Sequence, residues 1–441
     1  MDRRHFLLHA GAAAAIAACA LPVETRPPRS TRRDEPSLLP FDPRDWDSVR
    51  AQFAIADHPI DLSALYISSH PAPVRKAIAQ HREALDRQPT LYLLRNERRL
   101  TRTSIDAAAL FLGADPDDIA LTDSTTMSLG ILYNGMRLTA GQELVTTEHD
   151  YYVTHEALRQ ASERTGAIVR KIALYDRIED VSEQQIVNRI MAAVGQRTRV
   201  LALTWVHSGT GLKLPLAEIG AAVREVNVNR EEGDRVLVCV DGVHGLGVED
   251  ATFDDLGCDF FAAGAHKWLF GPRGTGVLWG SGVRWEAVRP LVPSFLDDAS
   301  WAAWMRGGDL TGPPDGKRMT PGGFKPYEHR WAMAAAFEFL DRIGKRRVRD
   351  RTHELAAQLK EGLASMPRVR LITPRDERLS SGIVCCDIEG RSPFAAVSAL
   401  LDRGFVATVT PYAVEYLRFA PSIRNTPEEI DAALGVVREL V

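Results

Sequence analysis

The residues best equipped for chemistry lie in the stretch VCVDGVHGLGVEDATFDDLGCDFFAAGAHKWLFGPRGTGVLWG, residues 238–280. Asp241 closes an apolar run, and Lys267 follows the next one 26 residues later (267 − 241), with His266 and Trp268 on either side. Ligands of open α/β sheets collect outside the carboxyl ends of the strands, so the two side chains would face one crevice. A lysine amine attacks a carbonyl carbon only when neutral, which a partly desolvated pocket favours. The glycines and aromatics of GAHKWLFGPRGTG bring little competing charge apart from Arg273. A carboxylate at a neighbouring strand end would hold a proton on a ring nitrogen and make a bound heteroaromatic ring an electron sink. Taken singly, the aspartate is an ordinary cap or turn former and the lysine an ordinary surface charge. The pair in this context points to Schiff-base chemistry.

Positioning that pair requires a scaffold, and the rest of the chain describes one. At 441 residues it is two to three times the usual domain length, so one large or two unequal domains are expected. Hydrophobic residues at 45% and charged residues at 25% exclude a disordered, collagen-like or membrane-embedded chain. With 54 Lys and Arg against 58 Asp and Glu, the formal charge of -4 gives no field for nucleic acid, which leaves small-molecule chemistry. From about residue 62 helical patterns alternate with short apolar runs without internal repeat, which predicts an α/β fold. Strands are predicted at 200–205, 236–240, 260–263 and 276–279, continuous apolar runs that suit a parallel sheet buried on both faces. Between 284 and 327 the pattern breaks into Pro, Gly and Trp before a helix over 328–340. A large domain over 61–315 and a smaller α+β domain over 316–441 follow from that break.

Cys19, Cys239, Cys258, Cys385 and Cys386 have no CxxC or mixed His/Cys spacing, so no structural metal is expected. Cys385 and Cys386 read as small buried hydrophobes in an apolar run. The N-terminus, MDRRHFLLHAGAAAAIAACALP, carries Arg3 and Arg4 ahead of Phe6, Leu7, Leu8 and an alanine-rich stretch. It resembles a twin-arginine (Tat) signal, too short to span a bilayer, which needs about 20 apolar residues. Ala18, Cys19 and Ala20 fit a cleavage site, while residues 16–19 also fit a lipobox in which Cys19 would be lipidated. Residues 1–25 are thus assigned to the signal and 26–60 to a linker and N-terminal arm, with 26–40 rich in Pro, Arg and Ser. Periplasmic export through the Tat translocase is the expectation. That route carries folded proteins and suits one that binds its cofactor in the cytoplasm.

The 238–280 stretch resembles the pyridoxal-phosphate segment of class V aminotransferases, the fold-type I group that includes cysteine desulfurases and isopenicillin N epimerase-like proteins. The resemblance covers about residues 62–441. It implies pyridoxal 5'-phosphate as cofactor, a doubly wound and mostly parallel sheet with a smaller C-terminal domain, a homodimer, a Schiff base on Lys267, and Asp241 at the ring nitrogen. LTDSTTMSLGILYNG resembles the family's phosphate-cradling turn, with Ser124, Thr125 and Thr126 at a helix start. TTEHDYY places His149 where the family stacks an aromatic on the cofactor, Tyr151 and Tyr152 being the alternatives. WVHSGTGLKLP resembles the epimerase-like branch, with Ser208 where desulfurases carry an Asn facing the phenolic oxygen. His244 matches a position supporting that oxygen or the Schiff base, and His266 a phosphate ligand. In YLRFAPSIRNTPEEID, Arg418 matches the arginine that pairs with the substrate α-carboxylate, Arg424 is expected to be structural, and Thr426 starts a helix.

Two features depart from the family pattern. RGFVATVTPYAVEYLRF has no cysteine where desulfurases deliver their nucleophile, which disfavours desulfurase activity. In TPGGFKPYEHRW, Gly323 stands where the family often has a threonine reaching the partner's phosphate. Trp301 and Trp304 belong to a segment that would border the substrate entrance, or else bury as a crossover loop. Transamination, epimerisation and elimination on an amino-acid-like substrate all remain open. The export signal adds the alternative of a peptidic secreted metabolite, as in siderophore-tailoring relatives that the sequence also resembles. The intact Lys267, Asp241 and Arg418 argue against a non-catalytic binding protein.

Overall fold

The computed structural model describes residues 41–309 and 312–441. The export stretch, Cys19 and residues 26–40 of the linker lie outside them. The first half of the described chain runs α1 (Trp46–Ala51), β1 (Ile60–Asp61), α2 (Ala72–Arg87), α3 (Pro89–Leu112), β2 (Ile119–Thr122), α4 (Thr125–Gly135), β3 (Glu143–Thr147), α5 (Tyr152–Thr165), β4 (Ile168–Ile172), α6 (Glu183–Ala193) and β5 (Thr198–Thr204). It continues with α7 (Leu216–Asn227), β6 (Leu237–Asp241), α8 (Phe253–Leu256), β7 (Phe260–Gly264), β8 (Gly276–Gly280), α9 (Asp298–Met305), α10 (Gly316–Met319) and α11 (Tyr327–Ile343). The C-terminal part comprises α12 (Lys345–Ala364), β9 (Val369–Leu371), β10 (Val384–Ile388), α13 (Pro393–Asp402), β11 (Phe405–Val406), β12 (Thr408–Val409), β13 (Leu417–Phe419) and α14 (Pro427–Leu440).

Seven strands form the main sheet in the order β2-β8-β7-β6-β5-β3-β4. The four predicted strands are all present, but β8 runs antiparallel to both β7 and β2 instead of parallel. The loop at 265–275 that joins β7 to β8 is the reason, since a parallel return needs a crossover of a dozen or more residues, usually a helix. Both faces of the sheet are buried, and the side chains alternate between them. Along β6, Val238 and Val240 join the core beneath α3, α6, α7 and α11, while Leu237 and Cys239 join the core beneath α4 and α5. Such alternation within a wholly apolar run is what two covered faces demand.

A four-stranded antiparallel sheet, β12-β13-β10-β9, organises a second core with Leu355, Leu359, Leu400, Ile430 and Leu434 from the surrounding helices. The N-terminal arm contributes to it through β1, which pairs in parallel with β11. Thr426 caps α14 in a reciprocal box with Glu429, as its sequence predicts. No described helix is long and apolar enough to cross a membrane.

The turn after β5 is pinned to β10 by a glycine. Gly211 has φ +74°, and a Cβ there would lie 2.4 Å from the Ile383 carbonyl oxygen and 2.8 Å from the Thr373 hydroxyl. Gly211→Ala should therefore lower unfolding stability by more than about 2 kcal/mol in urea titration. An unchanged midpoint would show that this turn is not tightly constrained.

Candidate active site

The parallel strands bring their carboxyl ends to one edge, and the chemistry gathers there. Thr204 ends β5, Asp241 ends β6, and Lys267 lies on the short loop that follows β7. Ser124 caps α4 just beyond β2, its hydroxyl accepting the Met127 N–H at 3.1 Å. The second sheet adds Arg418 from β13. These groups enclose a cavity of about 310 Å3 that is also lined by Thr125, Thr126, Tyr151, Ser208, His244 and His266.

Lys267 is the electrostatic centre of this cavity. Burial lowers its amine from the ordinary 10.5 to about 8, the Asp241 carboxylate pulling the other way and Arg418 reinforcing the drop. Its Nζ lies 3.4 Å from Nε2 of His244. The indole N–H of Trp268 donates to Nδ1 of His244 at 3.3 Å. An indole can only donate, so the neutral imidazole carries its proton on Nε2, facing the lysine. Burial, the Lys267 charge and Arg418 hold His244 well below the usual histidine range, so that tautomer is the resident one.

Asp241 is fully buried, and burial raises its carboxyl to about 6 against the opposing pull of the Val243 N–H and the Lys267 charge. One oxygen accepts the Val243 N–H at 3.1 Å. A buried carboxylate held up in this way is suited to a cationic ring N–H, which would restore its charged form. His266 is lowered to about 4 by burial, Lys267 and Arg273, and is therefore a neutral ligand.

The residues fit pyridoxal phosphate on structural grounds. Thr204 lines the cavity, and its buried Oγ1 has no hydrogen-bond partner. At the phosphate end, the Thr125 hydroxyl accepts the Gly264 N–H at 2.8 Å, and a Cβ at Gly264 would sit 2.9 Å from the His266 ring, so the close approach of α4 to this loop requires glycine. The first-turn N–H groups of α4 supply anion donors without further help.

His149 differs from its expected place. Its ring stacks on Tyr175 at 4.2 Å and 12°, its Nε2 accepts the Leu174 N–H at 3.3 Å, and it does not line the cavity. Tyr151, one of the two alternatives, does line it, whereas Tyr152 is exposed. The exchange follows from Asp150, which the sequence reading overlooked. Asp150 accepts from the Thr146 hydroxyl, the Thr147 N–H and the Thr204 N–H at 2.8, 2.7 and 2.7 Å, and so fixes how the chain leaves β3. An aspartate directly after a strand and before a helix is the signal that would have found it. Tyr412 was also missed, and its hydroxyl lies 2.7 Å from that of Ser208.

Arg424 is structural as expected, bonded to Ser422 and Asp61 and lying over the Phe270 ring. Gly323 has φ +100°, a backbone conformation that explains glycine there better than any lost phosphate contact. Trp301 and Trp304 pack on each other at 5.1 Å but stay 64% and 69% exposed and away from the cavity, so neither expected placement applies within one chain.

Known proteins share the family and the fold. Residues 95–410 match the sequence model of the family described as aminotransferase class-V. The chain belongs to the class V aminotransferase family. This class V protein is 28% identical to isopenicillin N epimerase of Streptomyces clavuligerus over 88% of the chain and 96% of that relative. It is 27% identical to a probable cysteine desulfurase of Mycobacterium leprae over 77% of the chain and 80% of that relative. Among solved structures, a C-DES mutant with glycine covalently linked to its PLP cofactor superposes with a TM-score of 0.77 at 21% identity, covering 88% of this chain and 99% of that one. A cysteine desulfurase of Thermococcus onnurineus gives 0.76 at 21% identity, covering 90% and 98%. The protein is a fold-type I, pyridoxal-phosphate-dependent enzyme of the epimerase and desulfurase-like class.

Because its folded pKa lies below its unfolded value, stability referred to Lys267 is greatest above about 10.5 and is lost as pH falls toward 8, where burying the charged amine carries its full cost. The same shift governs reactivity. Uptake of pyridoxal phosphate by the cofactor-free protein should accelerate with pH and level off above about 8. Stopped-flow absorbance against pH measures this, with Lys267→Ala as the blank. A rate still climbing past pH 10 would mean that the lysine behaves as a solvated one.

Proposed function

We propose that this enzyme acts on the amino group or Cα of an amino-acid-like substrate, by transamination or epimerisation, and that it works after export. The observation that carries the reading is the buried Lys267, its amine lowered to about 8, in one cavity with Asp241 and Arg418. Bound pyridoxal phosphate supplies the electron sink for the pair left at Cα.

The chain's own residues do the rest. Asp241 holds the proton on the ring nitrogen. Lys267, once free, moves a proton to and from Cα, its basicity matched to neutral pH. Tyr151 and Val243 line the site. Arg418 uses three of its five N–H groups on Thr408 Oγ1, the Ser208 carbonyl and the Val409 carbonyl, at 3.1, 2.8 and 3.3 Å. One N–H remains on each terminal nitrogen, which is the pair a carboxylate needs for bidentate binding.

Desulfurase chemistry is disfavoured by the thiols. Cys239, Cys258, Cys385 and Cys386 are all buried, and Cys385, opposite Arg418 in the β10–β13 register, is pushed up to about 12 by burial. A thiol in that state is a poor nucleophile. The epimerase relatives support the Cα reading, since they carry that reaction in their names.

The Tat-like N-terminus with Arg3 and Arg4 supports a periplasmic location and, as a second reading, tailoring of a peptidic secreted metabolite such as a siderophore. The exposed Phe295, Trp301, Trp304 and Phe324 support a homodimer that covers them.

The deciding experiment incubates the cofactor-loaded enzyme in D2O with free amino acids and peptide-linked amines, and follows Cα deuteration and keto-acid formation. Exchange without keto acid indicates epimerisation, keto acid indicates transamination, and turnover of free amino acids alone sinks the peptidic alternative. No visible absorbance band after supplying pyridoxal phosphate sinks the enzyme reading itself. Arg418→Lys should raise KM for carboxylate-bearing amines about 10- to 100-fold while leaving carboxylate-free amines unaffected. A reporter fusion with Arg3 and Arg4 changed to lysine should remain in the cytoplasm, and export of that fusion refutes the Tat assignment.

A further inference from the structure

Tyr412 sits on the turn between β12 and β13, a turn pinned by the Thr410 N–H on the Tyr416 carbonyl and by the Tyr416 N–H on the Thr410 hydroxyl, at 3.0 and 2.8 Å. Its ring fills the space beside Gly209, where a Cβ would meet ring carbons at 3.0 Å, and meets Tyr151 edge-on at 5.9 Å. Its hydroxyl lies 2.7 Å from Ser208 Oγ. Ser208 is thus held twice, through its carbonyl by Arg418 and through its side chain by Tyr412.

The direction of the phenol proton matters here. Burial keeps Tyr412 protonated far beyond neutral pH, with Arg418 on one side and Asp150 and Tyr151 also acting on it. A half-buried phenol turned inward gives its one proton to an available acceptor, and Ser208 Oγ is the acceptor in contact. Ser208 also has a single proton, which that arrangement releases for donation into the cavity. With the roles reversed, Ser208 would have nothing left to donate.

We propose that Tyr412 is a positioning residue that makes Ser208 a fixed hydrogen-bond donor into the cavity and ties that donor to the Arg418 carboxylate pocket. This rests on the reading that pyridoxal phosphate is bound at Lys267. A donor aimed at an anionic ring oxygen favours charge on that oxygen and disfavours a proton on the lysine nitrogen nearby. Removing the donor therefore raises the pH at which the lysine-bound chromophore titrates, in a field otherwise set by Asp241, Arg418 and His244.

The test compares wild type, Tyr412→Phe, Ser208→Ala and the double variant. Tyr412→Phe keeps the ring against Gly209 and removes only the hydroxyl. Its absorbance titration should move up by about 0.5 to 1 pH unit, Ser208→Ala should match it, and the double variant should move no further. Melting temperatures of the four proteins without cofactor should likewise be non-additive. The proposal is overturned if Tyr412→Phe titrates like wild type or if the two substitutions add. The cofactor-free melts report on the contact by themselves, whereas a wild type that forms no chromophore refutes the cofactor reading, and the two failures are thereby distinguished.

Discussion

The structure is organised around one costly placement, an amine and a carboxylate withdrawn from water within the same cavity. Desolvation pushes Lys267 toward its neutral form and Asp241 toward its protonated one, and the attraction between them offsets only part of that cost. Neither side chain gains stability from its burial. Both gain reactivity, a nucleophilic amine near neutral pH and a carboxylate ready for a cationic partner. A fold has to be stable elsewhere to hold such a pair, and the two-faced apolar cores around the main sheet provide that stability.

The geometry of the loop at 265–275 follows from the same demand. A helix crossover after β7 would carry the chain away from the strand ends, whereas the antiparallel return through β8 keeps Lys267 against β6 and the start of α4. Close approach of these backbones requires residues without side chains. Gly264 and Gly276 sit where a Cβ would collide with the His266 ring and the Ala263 carbonyl. The strand reversal and the glycines therefore express one constraint, that an amine on a short loop be enclosed on all sides.

The second sheet completes the enclosure. Through Arg418 and Tyr412 it reaches across to Ser208, so the carboxylate pocket and the ring pocket share one residue from the main sheet's edge. The turn that carries Tyr412 holds no cysteine. The half-buried Tyr412 ring packs beside Gly209 and Tyr151, while every described cysteine is buried.

Much of this was legible in local sequence. The four apolar runs became strands, Ser124 and Thr426 became caps, and Asp241 and Lys267 met at one sheet edge, because periodicity, capping and strand ends are set by neighbouring residues. The direction of β8, the replacement of His149 by Tyr151 at the cavity, the bracing by Asp150 and the pairing of Tyr412 with Ser208 were not legible. The direction of β8 follows from the short loop at 265–275, and the others depend on contacts between segments farther apart in the chain, up to 204 residues for Tyr412 and Ser208. The sequence by itself determined which groups are capable of the chemistry, since residue type decides what a side chain can donate, accept or attack. Tertiary structure alone decided which groups face the cavity and how strongly each is desolvated, because burial and orientation are properties of the packed whole.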